Sequence, residues 1–361
     1  MLIDRASSLR SLIVAAVMTL PTVAMADPIA DFYTGKQLRI IIRAQAGGQY
    51  DSYSRLLGRY IVRYLPGKPT VLPVNMPGGG GLKALGYVAA VAPKDGTVFT
   101  MVTQSVPMEQ ALGTNKALEV DLRTLNWIGN MSEQNQVLYT APSSETRTLA
   151  DAKRRETVIG ATGLGATSTQ LIGLYNNALG TKFKIIYGYP GSPDIGLAIE
   201  RGELEGRNTS SPATVINAAG GPSAASAQFH FLIQTGIRKL GGYPNVPLLN
   251  DLATNAADRA AFDFISKASA ISRPFAAAGG ISAERVAALR RAFNETLKDP
   301  ELLADAQKQD MDIALTTGED LQKIIGDMIN APKPVLDRVR TLIEVHSAEA
   351  AKGIKASESA D

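Results

Sequence analysis

Residues 38–64 read Leu-Arg-Ile-Ile-Ile-Arg-Ala-Gln-Ala-Gly-Gly-Gln-Tyr-Asp-Ser-Tyr-Ser-Arg-Leu-Leu-Gly-Arg-Tyr-Ile-Val-Arg-Tyr. Leu38 to Ile42 is a short apolar run with one interruption, which reads as a strand. A glycine-bearing turn follows, and Asp51 to Tyr64 is helix-like. Strand, glycine turn and helix form the unit from which mostly parallel sheets flanked by helices are assembled. Thr70 to Val74 is a second strand candidate, and the tetraglycine Gly78 to Gly81 opens onto a small-residue helix, Leu82 to Val91. Val98 to Val102 is a third strand after the turn Pro93-Lys94-Asp95-Gly96. The same unit returns in the second half. Val137 to Thr140 and Val158 to Ala161 read as strands, and Gly163-Leu164-Gly165-Ala166-Thr167-Ser168 leads into a helix near Thr169 to Leu179. Phe183 to Tyr187 is a strand. Ser192 and Pro193 start a helix that ends near Gly202. Ala218 to Ala227 reads as a loop and Phe229 to Gln234 as a strand. The last third is helical over Ser282 to Leu297, Glu301 to Lys308, Glu319 to Asn330 and Pro334 to Ala348. The recurrence predicts an α/β protein of two similar lobes.

Composition narrows the function. The chain has 361 residues, of which 45% are hydrophobic, with 37 Lys plus Arg against 34 Asp plus Glu, two histidines and no cysteine. That is enough apolar material for two cores. The absence of cysteine excludes disulfide frameworks, thiolate zinc sites, iron-sulfur clusters and cysteine nucleophiles. His230 and His346 cannot supply a multi-histidine metal site, and no metal or cofactor is expected. A net charge of +3 spread along the chain gives no footprint for a nucleic acid. Residues 1–26 read as an export signal. Arg5 and Arg10 precede the apolar run Leu12 to Val23, and Ala24-Met25-Ala26 supplies a small-x-small cleavage site. In an envelope with a periplasm, the product sits there free.

Three glycine turns stand between a strand and a helix: Ala46-Gly47-Gly48-Gln49-Tyr50-Asp51, Pro77 to Gly81, and Gly163 to Ser168. Unpaired N–H groups at a helix start, aided by the helix dipole, attract anions, and glycine lets a ligand approach the main chain. Each turn also has a purely structural reading as a tight turn; convergence of all three at one sheet edge would favour binding. Ser168 or Thr169 can donate to a carboxylate or cap a helix. Asp51 reads as a cap or as an acceptor that holds its turn. Gln104 and Ser105, just past a strand, can line the same cleft. Tyr187, Tyr189 and Pro190 read as an aromatic wall or as packing. Arg207 has two readings, a clamp on a carboxylate or a solvated partner of Glu203 or Glu205. Enzyme signatures fail: Gly163-x-Gly165 lacks a third glycine, and there is no G-x-S-x-G elbow, Walker lysine or HExxH. No catalytic or metal-ligating residue is assigned. A secreted hydrolase using Ser168 or Asp51, and a ligand sensor for a signalling partner, stand as rival readings.

The order of these motifs resembles the Bug-type periplasmic solute receptors that serve tripartite tricarboxylate transporters. Gly47-Gly48-Gln49-Tyr50-Asp51 with Arg55 is similar to the family's Gly-Gly-x-x-Asp followed by a helical Arg, and Asn75 to Gly81 to its Asn-x-Pro/x-Gly-x-Gly-Gly segment. Ala90 to Val98 resembles the Pro-Asp-Gly-Tyr-Thr turn, with Lys94 where proline usually stands. Gly163 to Ser168 resembles Gly-x-Gly-x-x-Ser. Tyr189-Pro190-Gly191, Gly202 to Glu205, and Tyr243 to Pro247 resemble further segments. The lead Arg43-Ala44-Gln45-Ala46 departs from the usual proline-rich one, and Glu205 with Arg207 departs from the usual aspartate followed by an apolar residue. The resemblance implies a two-lobed periplasmic binding protein, a clamshell with a central mostly parallel sheet in each lobe. The turns at 46–51 and 163–168 then pinch a di- or tricarboxylate or aromatic carboxylate through amides, hydroxyls and waters, and Gly165, Ala166 and Thr167 belong to the second turn. Lobe one is expected over 27–126 plus about 237–347, lobe two over 127–236, and 348–361 as a flexible tail. Hinge strands are expected near 128–140 and 231–236. Membrane transporter subunits are the expected partners of a monomer.

Overall fold

A computed structural model describes residues 27–352 apart from 164–165, 190, 210–211 and 347–349; the export signal expected at 1–26 lies outside the described residues. From the amino end, α1 (Pro28–Tyr33), β1 (Gln37–Ile42), α2 (Gln49–Ile61), β2 (Thr70–Asn75), α3 (Leu82–Gly86), β3 (Val98–Met101), α4 (Val106–Leu112) and β4 (Asn126–Asn130) follow in turn. The chain then crosses through 131–135 into β5 (Gln136–Thr140), α5 (Leu149–Arg154), β6 (Thr157–Ala161), α6 (Thr167–Leu179), β7 (Phe183–Tyr187), α7 (Ser192–Glu200), β8 (Gly206–Thr209), α8 (Pro212–Ala218), α9 (Pro222–Gln228) and β9 (His230–Thr235). After these come α10 (Ala256–Ala270), β10 (Pro274–Ala277), α11 (Ala283–Thr296), α12 (Pro300–Gln307), β11 (Thr316–Thr317), α13 (Gly318–Ile329), α14 (Lys333–Ile343) and β12 (Ala350–Lys352).

Each lobe has its own six-stranded sheet. The order is β11-β4-β10-β3-β1-β2 in the first and β12-β7-β6-β8-β5-β9 in the second. β1 runs parallel to β2 and β3, and β6 parallel to β7 and β8. The carboxyl ends of these strands therefore gather at one edge of each sheet, where the glycine turns begin. β10 and β5 run antiparallel to their neighbours, and both flank the crossing segment. Pro73 is tolerated in β2 because that strand is at the sheet edge.

Several expectations are refined. The change of sheet comes after β4 rather than at Trp127, because Trp127 and Gly129 pair with β10. The segment read as the loop Ala218 to Ala227 contains helix α9, started by Pro222 at its first turn. The tail expected to be flexible from 348 contributes Ala350–Lys352 as an edge strand beside β7. β8, Gly-Arg-Asn-Thr, carries no apolar signal. It is held because a Cβ at residue 206 would collide with the Tyr139 carbonyl, so glycine lets β8 approach β5 closely.

One core fills the first lobe, where Leu38, Ile40, Ile42, Phe99 and Phe275 of the sheet pack on Leu56 and Leu57 of α2 and Phe293 of α11. A second apolar body runs from Val106, Leu112 and Trp127 through Phe262, Ile265, Ile325 and Leu342 to Leu171, Tyr175, Ile159 and Leu138. It joins the lobes through α10, α13 and α14. Each such side chain contributes about 1.5–3 kcal/mol on leaving water.

Candidate ligand site

Chain direction at the end of β1 decides the first half of the site. Gly47 sits at φ +86°, a left-handed conformation that suits glycine. Gly48 then serves as an extended N-cap for α2 with no side chain closing the helix end. The turn's shape is set by Asp51, only 4% exposed. Its carboxylate accepts from the Gly47 N–H at 3.0 Å, Arg55 Nε at 2.9 Å and Asn75 Nδ2 at 2.8 Å. Asn75 also donates to the Ala44 carbonyl at 2.9 Å. Of the two readings given to Asp51, the turn-holding one is thus what the contacts describe. Burial pushes the Asp51 carboxyl up, but the hydrogen bonds from Arg55, Gly47 and Asn75 outweigh burial and hold it below the ordinary carboxylate range. Ala46, Gly47, Gly48 and Gln49 are exposed, and Tyr50 is half-buried.

The three parallel strand ends of the first lobe meet at the tetraglycine. The Gly80 carbonyl accepts from Arg43 Nη1 at 2.9 Å and from Thr103 Oγ1 at 2.8 Å. This turn thus presents an acceptor inward and ties the ends of β1, β2 and β3 together. Arg43 also stacks on Tyr50, its guanidinium carbon 3.6 Å from the ring centre. Arg273, 3% exposed, meets the first turn instead: its Nη2 donates to Gln49 Oε1 at 2.6 Å and its Nη1 to the Ser272 carbonyl at 2.8 Å.

In the second lobe the turn after β6 is closed by its own backbone. Ala166 N–H donates to the Gly163 carbonyl at 3.1 Å, and Thr169 Oγ1 donates to the same oxygen at 2.6 Å. Gly165 lies outside the described residues. Ala166 is the N-cap of α6 and supplies no side-chain cap, so Thr167 and Ser168 stand in the first turn with its N–H groups uncapped. Gln104, Ser105 and Thr167 come together with Gln136 and Gln170 around a narrow cavity of about 20 Å³ between the lobes, room for roughly one water. The Ala46 to Asp51 turn does not line this cavity. The tetraglycine turn approaches it through Thr103, the residue before Gln104.

Arg207 is the second residue of β8 and is 9% exposed. Its Nε donates to the Tyr139 hydroxyl at 2.9 Å and its Nη1 to the Ser192 carbonyl at 2.8 Å, in the first turn of α7. The solvated reading is overturned, because Glu205 is engaged elsewhere: Oε2 accepts from Ser144 and Arg155, each at 2.6 Å, and Oε1 from the Val158 N–H at 3.1 Å. Among the described residues no carboxylate pairs with Arg207. Tyr189, 8% exposed, packs with Ala141, Ile195, Ala198 and Leu204 beneath α7, and burial raises its hydroxyl pKa. Pro190 lies outside the described residues.

The sequence reading did not assign Asn75, Gln136 or Arg273 to the site and named Arg43 only in the lead into the first turn. Arg43 directly follows β1 and Asn75 ends β2, both strands that were correctly placed, which is the available signal. Arg273 stands 224 positions from its Gln49 partner, and only the pairing of β10 with β3 brings it there.

Residues 65–340 match the family described as the tripartite tricarboxylate transporter family receptor, TctC. A UPF0065 protein of Agrobacterium vitis, from the TAR-I ttuE-ttuC′ intergenic region, is 29% identical over 191 residues. The alignment covers 50% of this chain and 53% of that protein, so the chain spans about half the length of the curated relative it matches. Among solved structures, a TctC solute binding protein from Polaromonas superposes with TM-score 0.68 at 19% identity, covering 85% of this chain and 99% of that one. MatC from Rhodopseudomonas palustris with bound malate gives 0.56 at 16% identity, with 86% and 99% covered. An R. palustris protein with adipate gives 0.57 at 16%, with 84% and 97% covered. The two-lobed fold is that of these structures. With its family segment spanning most of both sheets, the chain belongs to the tripartite tricarboxylate transporter receptor family.

Proposed function

We propose that this chain is a periplasmic receptor that captures a small organic carboxylate between its lobes and passes it, unaltered, to membrane transporter subunits. The observation that carries this reading is the pairing of two uncapped helix starts, α2 at Gly48 and α6 at Ala166, each at the carboxyl end of a parallel strand. Such ends offer N–H donors and a favourable dipole to an anion. Ala46 to Asp51 form the first jaw. Gly163, Ala166, Thr167 and Ser168 form the second, Gln104 and Ser105 lie at the floor, and Tyr189 and Arg207 lie behind; Gly165 and Pro190, expected with them, fall outside the described residues. The malate and adipate in structures of this fold support the acid class. Closure follows because a ligand that touches both lobes favours the state in which both contacts exist. The protein acts as a monomer. Asp51 is committed to Gly47, Arg55 and Asn75, which leaves it no role as a hydrolytic base. Among the described residues no helix is long and apolar enough to cross a membrane.

The test is a thermal-shift screen of organic acids on the purified protein, with the acid recovered and analysed afterwards. A binding acid raises Tm and returns intact; turnover of the acid, or no shift with any member of the panel, defeats the reading. Arg207→Ala is expected to weaken binding by about 1–3 kcal/mol, the scale of a charged hydrogen bond. Unchanged affinity removes Arg207 from the site.

A further inference from the structure

Arg273 is a buried guanidinium without a counter-charge among the described residues. It is 3% exposed, and its Nε has no hydrogen-bond partner. Its terminal nitrogens reach only neutral oxygens, the Ser272 carbonyl and Gln49 Oε1. The rings of Tyr50 and Tyr53 lie near it, 5.2 and 4.8 Å from the guanidinium carbon. A charge taken out of water is costly unless an opposite charge or a full set of hydrogen bonds meets it. The group is also fixed in place: the Arg273 N–H donates to Asn130 Oδ1 at 2.8 Å and its carbonyl accepts from Met131 at 3.1 Å. The one partner of Arg273 that is free to move is Gln49, an exposed side chain on the first residue of α2. That residue stands beside the uncapped N–H groups of Gly48 and the helix start.

We propose that the Gln49 amide oxygen is a neutral placeholder on Arg273, and that a carboxylate bound at the start of α2 displaces it and pairs with the guanidinium. Arg273 is then the specificity-determining cation of the first jaw, and Gln49 is the gate that yields to an anion. A charged acceptor makes a stronger hydrogen bond to a guanidinium than an amide oxygen does, so the exchange favours acids over their amides. This inference rests on the carboxylate-receptor reading of the same turn.

Gln49→Glu tests it by tethering a carboxylate within reach of Arg273, and Gln45→Glu, at an exposed position in the same loop that makes no hydrogen bond to Arg273, adds the same charge as a control. Succinate, malate and adipate serve as probes. Gln49→Glu is expected to raise the melting temperature of the unliganded protein above that of Gln45→Glu. It is also expected to weaken the bound probe by about tenfold or more relative to Gln45→Glu, the ratio for losing one charged hydrogen bond. Equal melting temperatures of the two variants overturn the placeholder role whether or not any acid binds. Equal affinities of the two variants for a probe that binds the wild type overturn the pairing with Arg273 while leaving the receptor reading intact. Failure of the wild type to bind any acid sinks the receptor reading separately, and the pairing with it.

Discussion

At the scale of single residues, Asp51 is the residue on which the first turn depends. Its carboxylate gathers the turn's Gly47 N–H, a helix arginine and the last residue of β2, so one buried oxygen pair joins three segments. Asp51→Asn keeps the shape but loses the charge-assisted bonds, and a loss of about 2 kcal/mol in urea unfolding at pH 7 is expected. The pH dependence has a definite sign. The folded pKa lies below the ordinary value of 3.8, so the stabilisation is fully present above that value. It is lost as pH falls below 3.8 through the folded pKa. Acid titration of unfolding should show the wild type and Asp51→Asn converging over that range; a constant gap down to the acid limit would contradict the assignment. Gln49 and Arg273 show the opposite economy: their interaction is made without a charge on one side, which leaves it open to replacement.

At the scale of elements, α14 illustrates how a helix end is closed by another helix. Asn177 of α6 donates from Nδ2 to the carbonyls of Thr341, Leu342 and Glu344 at 3.3, 3.0 and 2.8 Å, the acceptors that a helix carboxyl end leaves unpaired. Asn177→Ala should cost about 1 kcal/mol and speed hydrogen exchange over residues 339–344, with exchange in β1 unchanged; protection at 339–344 equal to wild type would show that α14 closes its own end. This contact also explains the limits of sequence legibility. The strand, turn and helix units at 38–64 and 158–179 were readable because apolar runs, glycines and helical periodicity are local signals. β8 and β10 were not, since four residues carry little periodicity and their identity as strands comes from neighbours in the sheet. α9 was concealed by its Ala and Ser composition, which resembles a linker until Pro222 is recognised as a helix start. Within the candidate site, the backbone turns and the positions of Gln104 and Ser105 after β3 were legible from spacing. Arg273 and Gln136 enter it through long-range pairing that no short window contains.

At the scale of the whole molecule, the two lobes are joined by more than the crossing strands. Arg340 of α14 donates from Nε and Nη2 to the Leu112 carbonyl of α4 at 3.2 and 2.7 Å, while the next residues at the same carboxyl end of α14 are held by Asn177 of the second lobe. The apolar body through α10, α13 and α14 continues without interruption from Trp127 to Tyr175. A helix anchored to both halves lets them turn about it while its oily flank stays covered. Capture of an acid therefore removes little further hydrocarbon surface from water, and the binding heat should stay nearly flat as temperature is varied, because a steep slope is the calorimetric mark of apolar burial. A strongly negative heat-capacity change in titration calorimetry would mean that this keel comes apart and re-forms in every cycle of uptake.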